Sequence, residues 1–241
     1  MELKIYTSKE EVAKRFSEYL VKLTNTDKEV HIALSGGSTP KIVFDMLASD
    51  FETEINWSIV HFYWGDERCV PPTHEESNYK MTAEHLFDKI NIPKENIHRI
   101  YGEDEPKVEA ERYAQLLDDR LPKFRNIPQF DLVILGMGDD GHTASIFPHE
   151  IELWDAKTNC AVAIHPDSGQ RRITITGKII NNAKEVAFLV TGAGKAEKVE
   201  EIMKKDGDYI SYPASLVAPT SGLLTWFLDS DAATGLMSIR G

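Results

Sequence analysis

Apolar and polar positions alternate in blocks along this chain, and the spacing inside each block predicts an element. Leu3-Lys4-Ile5-Tyr6 reads as a first strand. Ser8 and Glu11 then make a capping box, and Val12, Ala13, Phe16, Leu20 and Leu23 recur on one helical face. Val30–Leu34 has the continuous apolar pattern of a buried strand and runs into Ser35-Gly36-Gly37-Ser38-Thr39. Pro40 fits the first helical position after that loop, with Ile42, Val43, Met46 and Leu47 as the inward stripe.

The alternation continues to the end of the chain. Strands are predicted at residues 59–64, 132–135, 161–164, 173–176 and 186–190, with 223–228 closing the sheet. Helices are predicted at 79–88, at 108–121 with Ala110, Tyr113, Ala114 and Leu117 inward and Pro122 as the stop, and at 195–205 with Val199, Ile202 and Met203 inward. Strands and helices alternating at this spacing imply an α/β fold, a single domain over residues 1–241 with a largely parallel central sheet flanked by helices. The Pro- and charge-rich stretch 93–106 reads as a surface connection, not a boundary.

Composition narrows the class. The 241 residues are 41% hydrophobic and 27% charged, with 15 Gly and 11 Pro, which excludes collagen-like, low-complexity and disulfide-scaffold chains. Lys and Arg total 27 against 39 Asp and Glu, a net charge of −12. That balance argues against sequence-independent binding of nucleic acid but leaves room for an anionic small ligand in a locally cationic cleft. Cys69 and Cys160 stand far apart and read as reduced thiols. No segment approaches the roughly 18 consecutive apolar residues of a membrane helix, and the start of the chain lacks an apolar signal core. A soluble, cytoplasmic protein with no membrane or nucleic-acid partner is expected.

In parallel α/β sheets ligands collect at the carboxyl ends of strands. Four segments occupy such positions: 35–39, 65–68, 136–142 and 191–195. The first is a loop of small residues opening a helix, where Ser35, Gly36 and Gly37 could offer backbone N–H groups and hydroxyls to a phosphate; a plain capped turn is the alternative. Neither it nor Thr191-Gly192-Ala193-Gly194-Lys195 has the spacing of a GxxxxGK[ST] loop, though Lys195 could still reach an anion from a helix start. Arg68 could clamp a phosphate, or pair internally with Asp66 or Glu67. Of Arg171 and Arg172, one is expected to face a cleft and the other solvent. His31 and His61 lie within strands and read as packed core residues.

Gly136-Met137-Gly138-Asp139-Asp140-Gly141 matches GxGxxG, but Pro148 comes seven residues later and leaves little room for the crossover helix of a dinucleotide site. The same turn carries a better signal. In Asp139-Asp140-Gly141-His142 an imidazole that titrates near neutrality sits beside carboxylates able to orient it and stabilise its cation. A loop histidine with capping aspartates is the bland alternative, and a metal site a third for which no second His/Cys cluster supplies partners. Asp139 beside Asp140 could also shift a pH optimum.

Taken in order, ALSGGSTPKIVFDML, DERCVPPTHEESNY, GMGDDGHTASIFP, RRITIT and PASLVAPTSGLLTWFLDSDAA resemble segments of the 6-phosphogluconolactonase family, within the glucosamine-6-phosphate isomerase/lactonase superfamily with its Rossmann-like fold. The resemblance spans residues 32–233. It implies hydrolysis of a small phosphorylated sugar lactone, 6-phospho-D-glucono-1,5-lactone, without metal or organic cofactor; a monomer or small homo-oligomer is expected. It also implies His142 as general base, Asp140 as its support, and Ser35, Gly36, Gly37, Arg68 and Lys195 around the phosphate, with Arg172 in the substrate pocket. Two alternatives share the scaffold: a glucosamine-6-phosphate deaminase/isomerase and a non-catalytic sugar-phosphate sensor. The deaminase pattern places a carboxylate after the histidine, where this chain has Ala144-Ser145-Ile146-Phe147-Pro148, and an aromatic residue where it has Arg68. The sensor reading would bring a DNA-binding segment, and this acidic chain starts directly in the fold.

Overall fold

The computed structural model describes residues 1–237; the last four residues of the predicted domain, 238–241, lie outside the described residues. Along the chain run β1 (Glu2–Tyr6), α1 (Lys9–Leu23), β2 (Val30–Leu34), α2 (Ser38–Asp50), β3 (Val60–Trp64), β4 (Asp66–Arg68), α3 (Asn78–His85) and α4 (Pro106–Arg120). They are succeeded by β5 (Lys123–Phe124), β6 (Ile127–Pro128), β7 (Leu132–Leu135), β8 (Cys160–Ile164), β9 (Arg171–Ile175) and α5 (Gly177–Ile180). The last elements are β10 (Glu185–Val190), α6 (Ala196–Lys204), β11 (Leu223–Asp229) and α7 (Thr234–Met237).

Six strands form one parallel sheet in the order β1-β11-β10-β7-β2-β3. Helices flank it, and its central strands are fully covered: every residue of β2 and β7 is buried. This is the α/β domain with a parallel central sheet that the alternation implied. Two details differ from the sequence reading. The 223–228 strand does not close the sheet; β11 lies inside it, between β1 and β10. The strands predicted at 161–164 and 173–176 leave the parallel sheet and pair with β4 as an antiparallel sheet, β4-β9-β8.

Local chemistry explains the element ends. The Ser8 hydroxyl accepts from the Glu11 N–H at 3.2 Å as a capping box requires, but the Glu11 carboxylate reaches one residue further back, to the Thr7 N–H at 3.0 Å and its hydroxyl. Helix α2 begins at Ser38, after Gly37 at φ 109°, so Pro40 occupies the third helical position instead of the first. The cost is small, because N–H groups of the first turn have no intrahelical partner anyway. His31 is buried and His61 largely so, as expected of strand residues, and with His98 they form a cluster at the amino end of β2 and β3.

Candidate active site

Strands β10, β7, β2 and β3 are consecutive neighbours, so the loops leaving their carboxyl ends converge although the sequence scatters them. They bound a cleft of about 250 Å³ lined by Ser35, Gly36 and Gly37 after β2, by Met137, Gly138 and His142 after β7, and by Lys195 after β10. Asp66, Arg68 and Arg172 come from the small antiparallel sheet that stands over the same end. A roomier hollow of about 530 Å³ between α4 and β8 combines Lys107 with Glu111 and Asp118 and holds no histidine or arginine.

The turn after β7 folds tightly. The Gly138 N–H donates to the His142 carbonyl at 2.9 Å, the Gly141 N–H to the Gly138 carbonyl at 3.1 Å, and the Thr143 hydroxyl back to the Gly136 carbonyl at 2.8 Å. A side chain at residue 138 would put its Cβ 2.1 Å from His142 Nδ1, so the turn needs glycine to let the ring lie across it. The chain then enters a kinked 3-10 helix, Pro148–Asp155, and not the long crossover helix of a dinucleotide-binding unit.

His142 Nδ1 and Asp140 Oδ1 are 2.6 Å apart, and Asp140 Oδ1 also accepts the His142 backbone N–H at 3.0 Å. Burial pushes the Asp140 carboxyl up, but the hydrogen bonds and charge of His142 outweigh it and hold the group at about 2. Near neutrality Asp140 is therefore a carboxylate that only accepts. With Asp140 accepting, a neutral His142 ring carries its proton on Nδ1 and its lone pair on Nε2. Phe147 packs against the imidazole with ring centroids 4.6 Å apart.

Three cations share the cleft. Arg68 pairs with neither Asp66 nor Glu67; its Nη1 donates to the Glu76 carbonyl at 2.5 Å, and its buried Nε has no partner among the described residues. Arg172 faces the cleft over the Phe147 ring, 5.6 Å from its centroid, while Arg171 is exposed. Burial, and after it the charge of Arg68, press the Arg172 guanidinium below its usual range, against the pull of Asp66. Lys195 reaches Asp139 at 2.5 Å.

Three residues that the sequence reading did not single out hold these groups. Asn78 lines the cleft and donates from Nδ2 to the Asp66 carbonyl at 2.9 Å. The Asp66 carboxylate accepts from the Ser145 hydroxyl at 2.6 Å. Glu67 is buried and accepts the N–H groups of Arg68, Asn78 and Tyr79, each at 2.8 Å, together with the Ser77 hydroxyl at 3.1 Å. Burial pushes its carboxyl above the usual range, against those donors, and so it clamps β4 to the start of α3. Ser77 caps α3, its hydroxyl accepting the Lys80 N–H at 3.1 Å, but its tie to Glu67 spans ten residues. No three His, Cys, Asp or Glu side chains among the described residues are grouped to hold a metal ion.

Fold and cleft together define an α/β protein with a carboxylate-supported imidazole and converging cations at the carboxyl edge of a parallel sheet. The chain belongs to the family of glucosamine-6-phosphate isomerases/6-phosphogluconolactonase, whose sequence model matches residues 7–226. The 6-phosphogluconolactonase of Haemophilus influenzae is 44% identical over 227 residues, 94% of this chain and 95% of the relative. The crystal structure of devB protein matches with a TM-score of 0.93 at 46% identity, over 97% of this chain and 98% of that one. The 6-phosphogluconolactonase of Trypanosoma brucei matches with a TM-score of 0.87 at 27% identity, over 98% of both chains.

Proposed function

We propose that this protein is a lactone hydrolase that converts 6-phospho-D-glucono-1,5-lactone to 6-phospho-D-gluconate, the ring-opening step of the oxidative pentose phosphate pathway. One observation carries the reading: His142, paired with Asp140, lines the same cleft as three cationic side chains. A base and an anion receptor are what a phosphorylated lactone requires.

In this reading Arg68, Arg172 and Lys195, with the Ser35-Gly36-Gly37 loop, hold the 6-phosphate and so position the lactone carbonyl. His142 Nε2 takes a proton from water as the oxygen attacks C1, and Asp140 stabilises the imidazolium that forms. The tetrahedral oxyanion collapses, the bond from C1 to the ring oxygen breaks, and Nε2 returns its proton to that oxygen. The new carboxylic acid then ionises to solvent. Positioned acid–base help of this kind contributes about 10²–10⁴-fold.

A sugar-phosphate isomerase or deaminase reading is disfavoured by Phe147, which packs against the His142 ring directly before Pro148, where the deaminase pattern places a glutamate. The test measures loss of freshly generated 6-phosphogluconolactone above its spontaneous rate, with chelator present, for wild type and His142→Ala. Fast turnover that collapses in the variant is expected. No acceleration over background would refute the assignment and direct the assay to glucosamine 6-phosphate.

A further inference from the structure

We propose that Asp139 is a latch on Lys195, a positioning residue that holds the lysine away from weak anions and yields it to a phosphate dianion. The inference rests on the reading of Lys195 as a phosphate ligand and adds a residue to it. Asp139 and Asp140 are neighbours on one turn but turn to different partners. Asp140 serves His142, whereas Asp139 crosses to the loop after β10, its Oδ1 2.5 Å from Lys195 Nζ and 3.7 Å from where a side chain on Gly194 would begin. Among the described residues neither Asp139 nor Lys195 makes another ion pair.

The loop that carries the lysine is pinned. The buried Asp229 carboxylate accepts the Gly192 N–H at 2.9 and 3.0 Å, and the Thr191 and Thr39 hydroxyls meet at 2.8 Å. With the backbone fixed, what remains adjustable is the lysine tip. Its side chain is 24% exposed, whereas that of Asp139 is 80% exposed. A carboxylate so open to water is a weak partner. A phosphomonoester that also engages Arg68 and Arg172 carries twice its charge and meets three cations together, so it displaces Asp139. A chloride or monocarboxylate gains less and leaves the pair closed. The latch thereby makes Lys195 answer to the charge of the ligand.

Asp139→Asn, Lys195→Met and the double variant test this through the KM and kcat of lactone hydrolysis and the Ki of inorganic phosphate. Asp139→Asn is expected to lower KM and Ki by about two- to five-fold, the range of an exposed ion pair, with kcat unchanged. In the Lys195→Met background the same substitution should change nothing, since the latch acts through the lysine. An equal drop in both backgrounds would show a general field effect and overturn the latch. If Lys195→Met raises KM while Asp139→Asn leaves it alone, the latch fails and the phosphate reading stands. If Lys195→Met leaves KM unchanged, Lys195 is no phosphate ligand and both fall.

Discussion

Arg68 and Arg172 are direct cross-strand partners in the antiparallel β4–β9 pair. Like charges placed opposite each other in a sheet are destabilising, a cost that an anion bound between them would offset. Replacing Arg172 by Met should therefore leave the melting temperature in phosphate-free buffer unchanged or slightly higher. It should also abolish most of the stabilisation that wild type gains from added inorganic phosphate. In kinetics the loss should fall mainly on KM, since binding is weakened more than proton transfer. Thermal melts with and without phosphate check the first part, and a variant as strongly stabilised as wild type would contradict it.

Asp140 and His142 should respond unequally to substitution. His142→Ala removes the proposed base and is expected to lower kcat by about 10²–10⁴-fold. Asp140→Asn keeps an acceptor for Nδ1 but removes the charge facing the imidazolium, so its kcat should fall by less, with KM little changed. Steady-state kinetics on both variants decide the order. A larger loss in Asp140→Asn would assign the carboxylate a more direct part.

Gly36 lies against the Asn78 side chain, and a Cβ at residue 36 would stand 2.0 Å from Asn78 Oδ1. Gly36→Ala must push aside a buried side chain that holds the Asp66 carbonyl. Overpacking of this kind costs about 1–3 kcal/mol. The substitution should lower both stability and substrate binding. Asn78→Ala in the same chain should recover part of the stability, a coupling that denaturant melts of the four proteins would measure.

Acid should destabilise the fold through the histidine cluster before it touches the site. His61 Nδ1 lies 3.2 Å from His98 Nε2, and His31 Nδ1 lies 3.3 Å from the Tyr63 hydroxyl. Burial, reinforced by the charge of His61 and of Arg120, lowers His98 to about 4, and burial lowers His31 and His61 as well. Between that value and the unfolded one near 6.5, the unfolded chain binds a proton that the folded chain refuses, so stability falls as pH drops through the window. At 1.36 kcal/mol per pK unit, His98 contributes on the order of 3 kcal/mol to that loss. Asp140 acts lower: its stabilisation is complete above the unfolded aspartate value and is lost progressively as pH falls from there through about 2. Urea melts at pH 7.5 and pH 5 should show a marked drop for wild type and a smaller one for His98→Gln. Equal slopes would exclude His98.

What the sequence determined by itself is whatever depends on near neighbours in the chain. Hydrophobic period identified the elements, because burying one face repeats every two or 3.6 residues. Ser8 displayed its cap, and the Asp140-Gly141-His142 spacing contained a carboxylate within hydrogen-bond reach of an imidazole two residues away. The motif segments brought out the catalytic candidates for the same reason.

Only the tertiary structure decided which residues meet. That β11 lies inside β1, and that β8 and β9 leave the main sheet for β4, is a matter of strand pairing between distant segments, to which local periodicity is blind. The roles of Asn78, Glu67 and Ser145 depend on the same distant pairing, as does the choice of Arg172 over Arg171 for the cleft. Asp139 is the sharpest case. Next to Asp140 in sequence it looked like a second carboxylate for the histidine, yet the order β10-β7-β2 sets Lys195 beside it, and the two pair at 2.5 Å.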